Sequence, residues 1–150
     1  MPQSFTCLNY HVIFSTIHRQ ALITHDLQPR LYNYIGGILR DRKSRLLVAG
    51  GVSDHVHLLI SLSKQVALSA ALRDTKAISS GWVHKSFPDK GAFAWQTGYG
   101  SFSVSYSNIT DVKRYITNQE DYHLLRSFKE EFVEFLARHD VQYDEKYLWE

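Results

Sequence analysis

A chain of 150 residues with 44% apolar and 13% aromatic content can bury a real core, and is neither disordered nor fibrous. Seventeen basic residues against fifteen acidic ones leave a net charge of +2, which permits a nucleic-acid partner without demanding one. Cys7 is the only cysteine, which excludes an internal disulfide and a cysteine-based zinc finger, and no apolar stretch approaches the ~20 residues of a membrane span.

The first segment, MPQSFTCLNYH, lacks the basic-then-apolar plan of an export signal, so a cytoplasmic protein without membrane association is expected. Repeats, low-complexity tracts and linkers are absent from the sequence, and residues 1–150 are expected to form one domain. LNYHVIFS (8–15) alternates Leu8, Tyr10, Val12 and Phe14 against Asn9, His11, Ile13 and Ser15, which predicts a strand. Residues 27–42 carry Leu27, Leu31, Ile35, Ile38 and Leu39 at helical spacing, with Thr24 or Asp26 as cap and Pro29 in the first turn. Gly36 and Gly37 each cost this helix about 1 kcal/mol relative to Ala and suggest close contact with a neighbour.

RLLVAGGV (45–52) and SDHVHLLISL (53–62) read as successive strands. A helix over about 66–85 follows, with Leu68, Leu72, Thr75, Ile78, Trp82 and Val83 as its apolar stripe. FPDKG stops it, and 92–105 holds a short strand around Phe102 and Val104. Two helices close the chain. One runs from about Thr110 to His123; the other is announced by Ser127 and Glu130 in capping-box spacing, then Phe128, Phe132, Phe135 and Leu136. Strand, helix, strand, strand, helix, strand is the split βαβ plan of an α+β, ferredoxin-like fold: an antiparallel sheet with two helices on one face and the other face left available.

The 53–62 segment poses the functional question. Residues two apart on a strand share a face, so Val56, Leu58, Ile60 and Leu62 form a core face while His55 and His57 sit side by side on the other. Two imidazoles on one rigid face can begin a metal site. With eight histidines in the chain, however, chance supplies roughly 0.4 His-x-His pairs, so a metal-free surface pair is an equal reading. The helix over 110–123 offers a third group. Tyr115 and Gln119, four apart, share a face beside the apolar Ile109, Val112 and Ile116, which can dock this helix on the open sheet. Gln119 can then present an amide oxygen to a hard cation, with the Tyr115 hydroxyl nearby. A tyrosine at a helix–sheet boundary with its hydroxyl in water is the structural alternative.

Taken together, YHVIFSTIHRQ, YIGGILRD, SDHVHLLISL, KAISSGW, FAWQTGYGSFSVS, VKRYITNQEDYH and SFKEEFVEFLARHDVQYDEKYLW resemble the single-tyrosine HUH transposases of the smallest bacterial insertion sequences and their relatives associated with repeated extragenic palindromes. The resemblance covers nearly the whole chain. It implies a ferredoxin-like (RRM-like) palm with the tyrosine-bearing helix docked on the sheet, a homodimer, and cleavage and rejoining of single-stranded DNA with hairpin-forming ends. It also implies that His55, His57 and Gln119 bind a divalent metal, Mg2+ or Mn2+, and that Tyr115 attacks to leave a 5′-phosphotyrosine and a free 3′-hydroxyl. The general base stays open among water, His123 and a neighbouring acid. For DNA contacts, Trp95 and Tyr99 are candidates for base stacking and Lys76, Lys113 and Arg114 for phosphates; core burial and solvated surface charge are the competing readings.

The rival function is a non-catalytic single-stranded nucleic-acid-binding module with the same RRM-like palm. It expects aromatic residues on the middle strands, where this chain has His55 and His57. A two-histidine zinc hydrolase needs further ligands at set spacing, and Asp54 precedes the pair without a following Asp-His.

Overall fold

The structure, a computed structural model, describes residues 3–149; Met1, Pro2 and Glu150, the ends of the expected 1–150 unit, lie outside the described residues. Four strands, β1 (Asn9–Ser15), β2 (Arg45–Val52), β3 (His55–Ser61) and β4 (Gly100–Val104), form one antiparallel sheet in the order β2-β3-β1-β4. β1 and β3 are central, and both are apolar enough to be buried on two faces.

One face is covered by α1 (Leu27–Asp41) and α2 (Leu68–Ser86). Val12, Phe14, Val56, Leu58 and Ile60 meet Leu31, Ile35 and Leu39 of α1 and Leu72 and Val83 of α2, all fully or almost fully buried. Each such side chain is worth about 1.5–3 kcal/mol of burial, and together they hold the sheet rigid behind the histidines. The buried residues of α2 are Ala71, Leu72, Thr75, Ser79 and Val83, with Leu68 and Trp82 partly buried against the same core, so of the expected stripe only Ile78 is exposed. Ser79 Oγ accepts the indole N–H of Trp95 at 2.9 Å. Trp82 lies half-buried and stacks on Tyr34.

Two local expectations fail. Neither Thr24 nor Asp26 caps α1 with its side chain; Asp26 is itself helical and the Thr24 carbonyl accepts the Gln28 N–H. A Cβ added at Gly36 would meet Leu46 at an ordinary 3.8 Å and one added at Gly37 would meet nothing within 4 Å, so neither glycine is required by a close contact with a neighbour.

The other face is not open. It carries α3 (Ile109–Thr117), α4 (Gln119–Tyr122), α5 (Phe128–Arg138) and α6 (Glu145–Leu148). The helix expected over 110–123 breaks at Asn118, whose backbone (φ −96°, ψ 21°) leaves the helical region between α3 and α4. Ser127 and Glu130 form the expected capping box at the start of α5. A second core of Ile13, Phe102, Phe128 and Leu136 then fixes α5 over β1 and β4, with α6 and Trp149 against it. Among the described residues, no helix is long and apolar enough to cross a membrane.

The docking of α3 depends on a bulge. Leu46 pairs with Ile60 but Val48 pairs with Leu59, so one extra residue, Leu47, enters β2. That slip puts Gly50 opposite His57 rather than Val56, hence on the histidine face. A Cβ at Gly50 would collide with the backbone carbonyl of Ile116, so glycine is what lets α3 lie against β2. Gly50→Ala is therefore expected to displace α3 and lower stability by about 1–3 kcal/mol, read as a reduced denaturation midpoint. It should also weaken any chemistry that needs Tyr115 beside His57.

Candidate active site and metal centre

The site is assembled from β1, β3, α3, α4 and α5. Burial by the second helical layer leaves His55 and His57 with no exposed surface. His55 Nδ1 lies 2.7 Å from Asp54 Oδ1, which turns its Nε2 into the site. His57 Nδ1 lies 2.8 Å from His11 Nε2, which does the same for His57. His11 reaches this position from the next strand, on the face shared with Ile13 and Ser15.

Gln119 and Tyr115 arrive as the spacing predicts. The break at Asn118 starts a new turn at Gln119, whose Oε1 sits 3.2 Å from His55 Nε2. The same oxygen is 3.0 Å from Nε2 of His123, one turn further on. The Tyr115 ring lies 5.9 Å from that of His57 within the same chain.

At the centre stands Glu131 of α5, fully buried and not anticipated from sequence. Its Oε1 lies 2.9 Å from His57 Nε2, 3.1 Å from His123 Nε2 and 3.3 Å from His55 Nε2. Its Oε2 accepts hydrogen bonds from the Tyr115 hydroxyl and, at 3.1 Å, from Gln119 Nε2. One carboxylate thus touches every group assigned a chemical role.

The protonation states follow from this network. Burial lowers His57 to about 4 and His11 to about 3, against an ordinary 6.5. His55 is buried too, but both its nitrogens face acceptors; Asp54 and Glu131 together outweigh desolvation and raise it. Glu131 is held well below the carboxylate range, because donors from His123, His55 and His57 overcome its burial. Burial, reinforced by the Glu131 hydrogen bond and charge, pushes the Tyr115 phenol far above 10. Tyr115 is therefore a protonated phenol in this state.

Stability of the metal-free protein should follow these shifts. Between about pH 4 and 6.5 the unfolded chain protonates His57 and His11 while the folded chain does not, so stability falls as pH drops. The contribution of His55, raised, is fully present below 6.5 and fades only as pH climbs through its folded value. That of Glu131, depressed, is present above about 4.5 and is lost only as pH falls further. The expected result in chelator is a loss on the order of 2 kcal/mol per pH unit across the first window, measured by denaturant titration at several pH values. A flat profile from pH 6.5 to 4 would contradict neutral, buried His11 and His57.

The proposed DNA contacts are dispersed. The Lys76 ammonium donates to the carbonyls of Gln96, Thr97 and Gly98, the first at 2.8 Å, and lies over Phe14 and Tyr99. Burial lowers it to about 8. Trp95 packs edge-on against Phe14 and Phe93 with its N–H bound to Ser79. Tyr99 is exposed, as are Lys113 and Arg114 on α3. Arg114 and Tyr115 border a surface cleft of about 480 Å3 with Asp111, Asn118, Asp121 and Tyr122, and a groove of about 730 Å3 runs past Asp54 and His123 on the other side.

His123 and Glu131, which the sequence reading did not place among the candidate ligands, join His55 and His57 in a group that can hold a metal ion. Both left a signal. His123 is four residues after Gln119, and Glu131 is an acid on the same helical face as Phe128 and Phe135, where a charge has no reason to be unless it is paired.

A ferredoxin-like palm bearing paired histidines on a central strand, with a tyrosine helix laid across them, defines a class of protein before any comparison is made. Residues 4–119 match the family described as "Transposase IS200 like", and the chain belongs to that family. It is 24% identical over 119 residues to the ISDra2 transposase TnpA of Deinococcus radiodurans, covering 76% of this chain and 85% of that one. A crystal structure described as a transposase from Deinococcus radiodurans R1 superposes with a TM-score of 0.63 at 23% identity, covering 79% of this chain and 98% of the other. A REP-associated tyrosine transposase bound to a REP hairpin gives 0.59 at 16% identity, covering 82% and 73%. Membership makes this chain a DNA-processing enzyme by class, and its buried cluster of three histidines and a glutamate can hold a metal ion.

Proposed function

We propose that the chain, acting as one unit, cleaves and rejoins single-stranded DNA at insertion-sequence ends through a 5′-phosphotyrosine link to Tyr115. The observation that carries this reading is the convergence of the Tyr115 hydroxyl and the Nε2 atoms of His55 and His57 on the single carboxylate of Glu131. A nucleophile and metal-ligating nitrogens so close together fit attack on a metal-bound phosphodiester.

His55, His57 and Gln119 would hold a divalent ion, Mg2+ or Mn2+ by resemblance. When bound, it neutralises charge on the scissile phosphate and stabilises the departing 3′-oxygen. The chain's residues supply the rest. Asp54 and His11 fix the two imidazoles so that their Nε2 atoms face inward. α3 aims the Tyr115 hydroxyl at the same point, and Glu131 orients it by accepting its hydrogen bond. Attack forms the tyrosine O–P bond as the phenol gives up its proton to a general base, and breaks the bond to the 3′-oxygen, which leaves as a hydroxyl after gaining a proton. Because the phosphate ester is retained, a 3′-hydroxyl can reverse the step and join strands without ATP.

Lys113 and Arg114, exposed beside Tyr115, and Tyr99 are proposed to contact the strand. The hairpin in the REP-associated structure supports a hairpin-bearing substrate here as well. The homodimer implied by resemblance would carry two sites, each complete within its own chain. The test is incubation with labelled single-stranded DNA carrying hairpin ends, in Mg2+ or Mn2+. A denaturation-resistant protein–DNA adduct with a free 3′-hydroxyl on the released strand is expected. Binding without any adduct would leave only a nucleic-acid-binding module.

A further inference from the structure

A pocket of about 270 Å3 opens beside the site, between β1 and α6. Ile13 and Phe128, both buried, form its floor. Three exposed tyrosines, Tyr99, Tyr143 and Tyr147, stand at its rim with the half-buried Trp149. Exposed rings gathered at one opening mark a place for another molecule. Cations are interleaved with them. Arg19 and Lys129 lie 5.5 and 5.0 Å from the centre of the Trp149 ring, and Lys146 lies 5.2 Å from that of Tyr147. Rings that offer their faces and cations that follow a backbone are the two parts of a single-strand platform.

One wall is set before any ligand arrives. Lys76 Nζ donates to the carbonyls of Gln96, Thr97 and Gly98, and the Ser15 hydroxyl donates to Gln96 Oε1, so the segment leading to Tyr99 is pinned to α2 and β1. Phe128 and the opposite wall, from Tyr143 to Trp149, lie beyond the residues 4–119 that match the family. The volume falls just under the lower end of ligand pockets, about 300 Å3, which suits one heterocycle and not a stacked pair. Its polar groups are the Gln96 amide and the Asp144 carboxylate, which suit the N–H-bearing edge of a base and turn a phosphate away. Ile13 pairs with His57 across the β1–β3 ladder, and the Phe128 ring lies 4.5 Å from that of His55. The floor is thus one side chain away from the paired histidines. Resting on the single-stranded DNA reading above and deepening it, we propose that this pocket takes one unstacked nucleobase adjoining the scissile phosphate, with Arg19, Lys129 and Lys146 against the neighbouring phosphates. A base seated there fixes the phosphate before the Tyr115 hydroxyl and makes the 128–149 segment a determinant of sequence choice apart from the hairpin.

The test uses the whole chain and a DNA hairpin carrying a mixed-sequence single-stranded flank of about ten nucleotides, with 5-iodouracil placed at one flank position at a time. Irradiation is expected to link one flank position to Tyr99, Tyr143, Tyr147 or Trp149, read by mass spectrometry. Tyr143→Ala and Tyr147→Ala should each weaken binding of the flanked hairpin roughly 5- to 150-fold, the range for one lost base stack, while Tyr147→Phe binds like wild type. The hairpin without its flank should bind all of them alike. Removing the base at the linked position should cost wild type the same factor and cost Tyr147→Ala nothing further. If both alanine variants bind the flanked hairpin as tightly as wild type and every link maps outside the pocket, the proposal falls; an adduct at Tyr115 then keeps the functional reading. If wild type neither binds the strand nor forms the adduct, both fall. If Tyr147→Ala instead disperses a dimer seen by light scattering and leaves strand binding unchanged, the pocket is a contact between copies and the proposal falls. Should an alanine variant not fold, the strand lacking one base decides on the wild type alone: an unchanged affinity for it overturns the proposal.

Discussion

Tyr115→Phe is expected to abolish the covalent DNA adduct while leaving hairpin binding and the fold in place. The substitution removes one oxygen from a half-buried ring whose faces pack against His57, His11 and Phe135. Glu131 Oε2 loses one donor but keeps Gln119 Nε2, so the stability cost is about 1 kcal/mol, the ordinary value of a hydrogen bond. The chemical cost is of another order, because no bond to phosphorus can form without the phenolic oxygen. A fall in adduct formation of at least about 10⁴-fold is expected. A gel assay under denaturing conditions measures it, with a binding assay on the same DNA as control. If adduct persists, the neighbouring Tyr122, whose ring lies 5.4 Å from that of Tyr115, becomes the nucleophile.

The parts of this site that lay on a simple period were legible in the sequence. Alternation along β3 put His55 and His57 on one face, and a four-residue step joined Tyr115 to Gln119. Register and layering were not legible. The bulge at Leu47 that turns Gly50 toward α3 leaves no mark in composition, since Leu46, Leu47 and Val48 read as one apolar run. Breaking the helix at Asn118 involves no proline or glycine, so the turn that re-aims Gln119 was invisible. Most of all, periodicity says that α5 has an apolar face but not what that face meets. Only the tertiary fold brings Glu131 to the histidines, and with it His123. For Trp95 the competing reading, core packing, is the one observed: its indole N–H is tied to Ser79 and its ring lies against Phe14.

Replacing both His55 and His57 by Ala should eliminate divalent-metal-dependent cleavage, and mixing this variant with Tyr115→Phe should not restore it. The two imidazoles point away from the main core of Val56, Leu58 and Ile60, so circular dichroism should stay close to native. Without them Glu131 Oε1 keeps only His123 among its imidazole partners, and no paired ligands remain on the strand. Loss of at least about 10³-fold in cleavage rate is expected, since charge neutralisation at the phosphate goes with the metal. The mixing experiment then asks whose tyrosine serves whose histidines. In this structure α3 lies on its own sheet, held by the contact of Ile116 over Gly50, and Tyr115 sits beside His57 of the same chain. Each mixed subunit would carry one lesion in its only site, so activity stays at background. If the helices instead crossed between subunits of an exchanging dimer, half the dimers would be mixed with one good site of two, and recovery would approach roughly a quarter of wild type. Recovery of that size would show that α3 leaves its own sheet in the working assembly, and Gly50→Ala, which blocks the within-chain docking alone, would then leave cleavage intact.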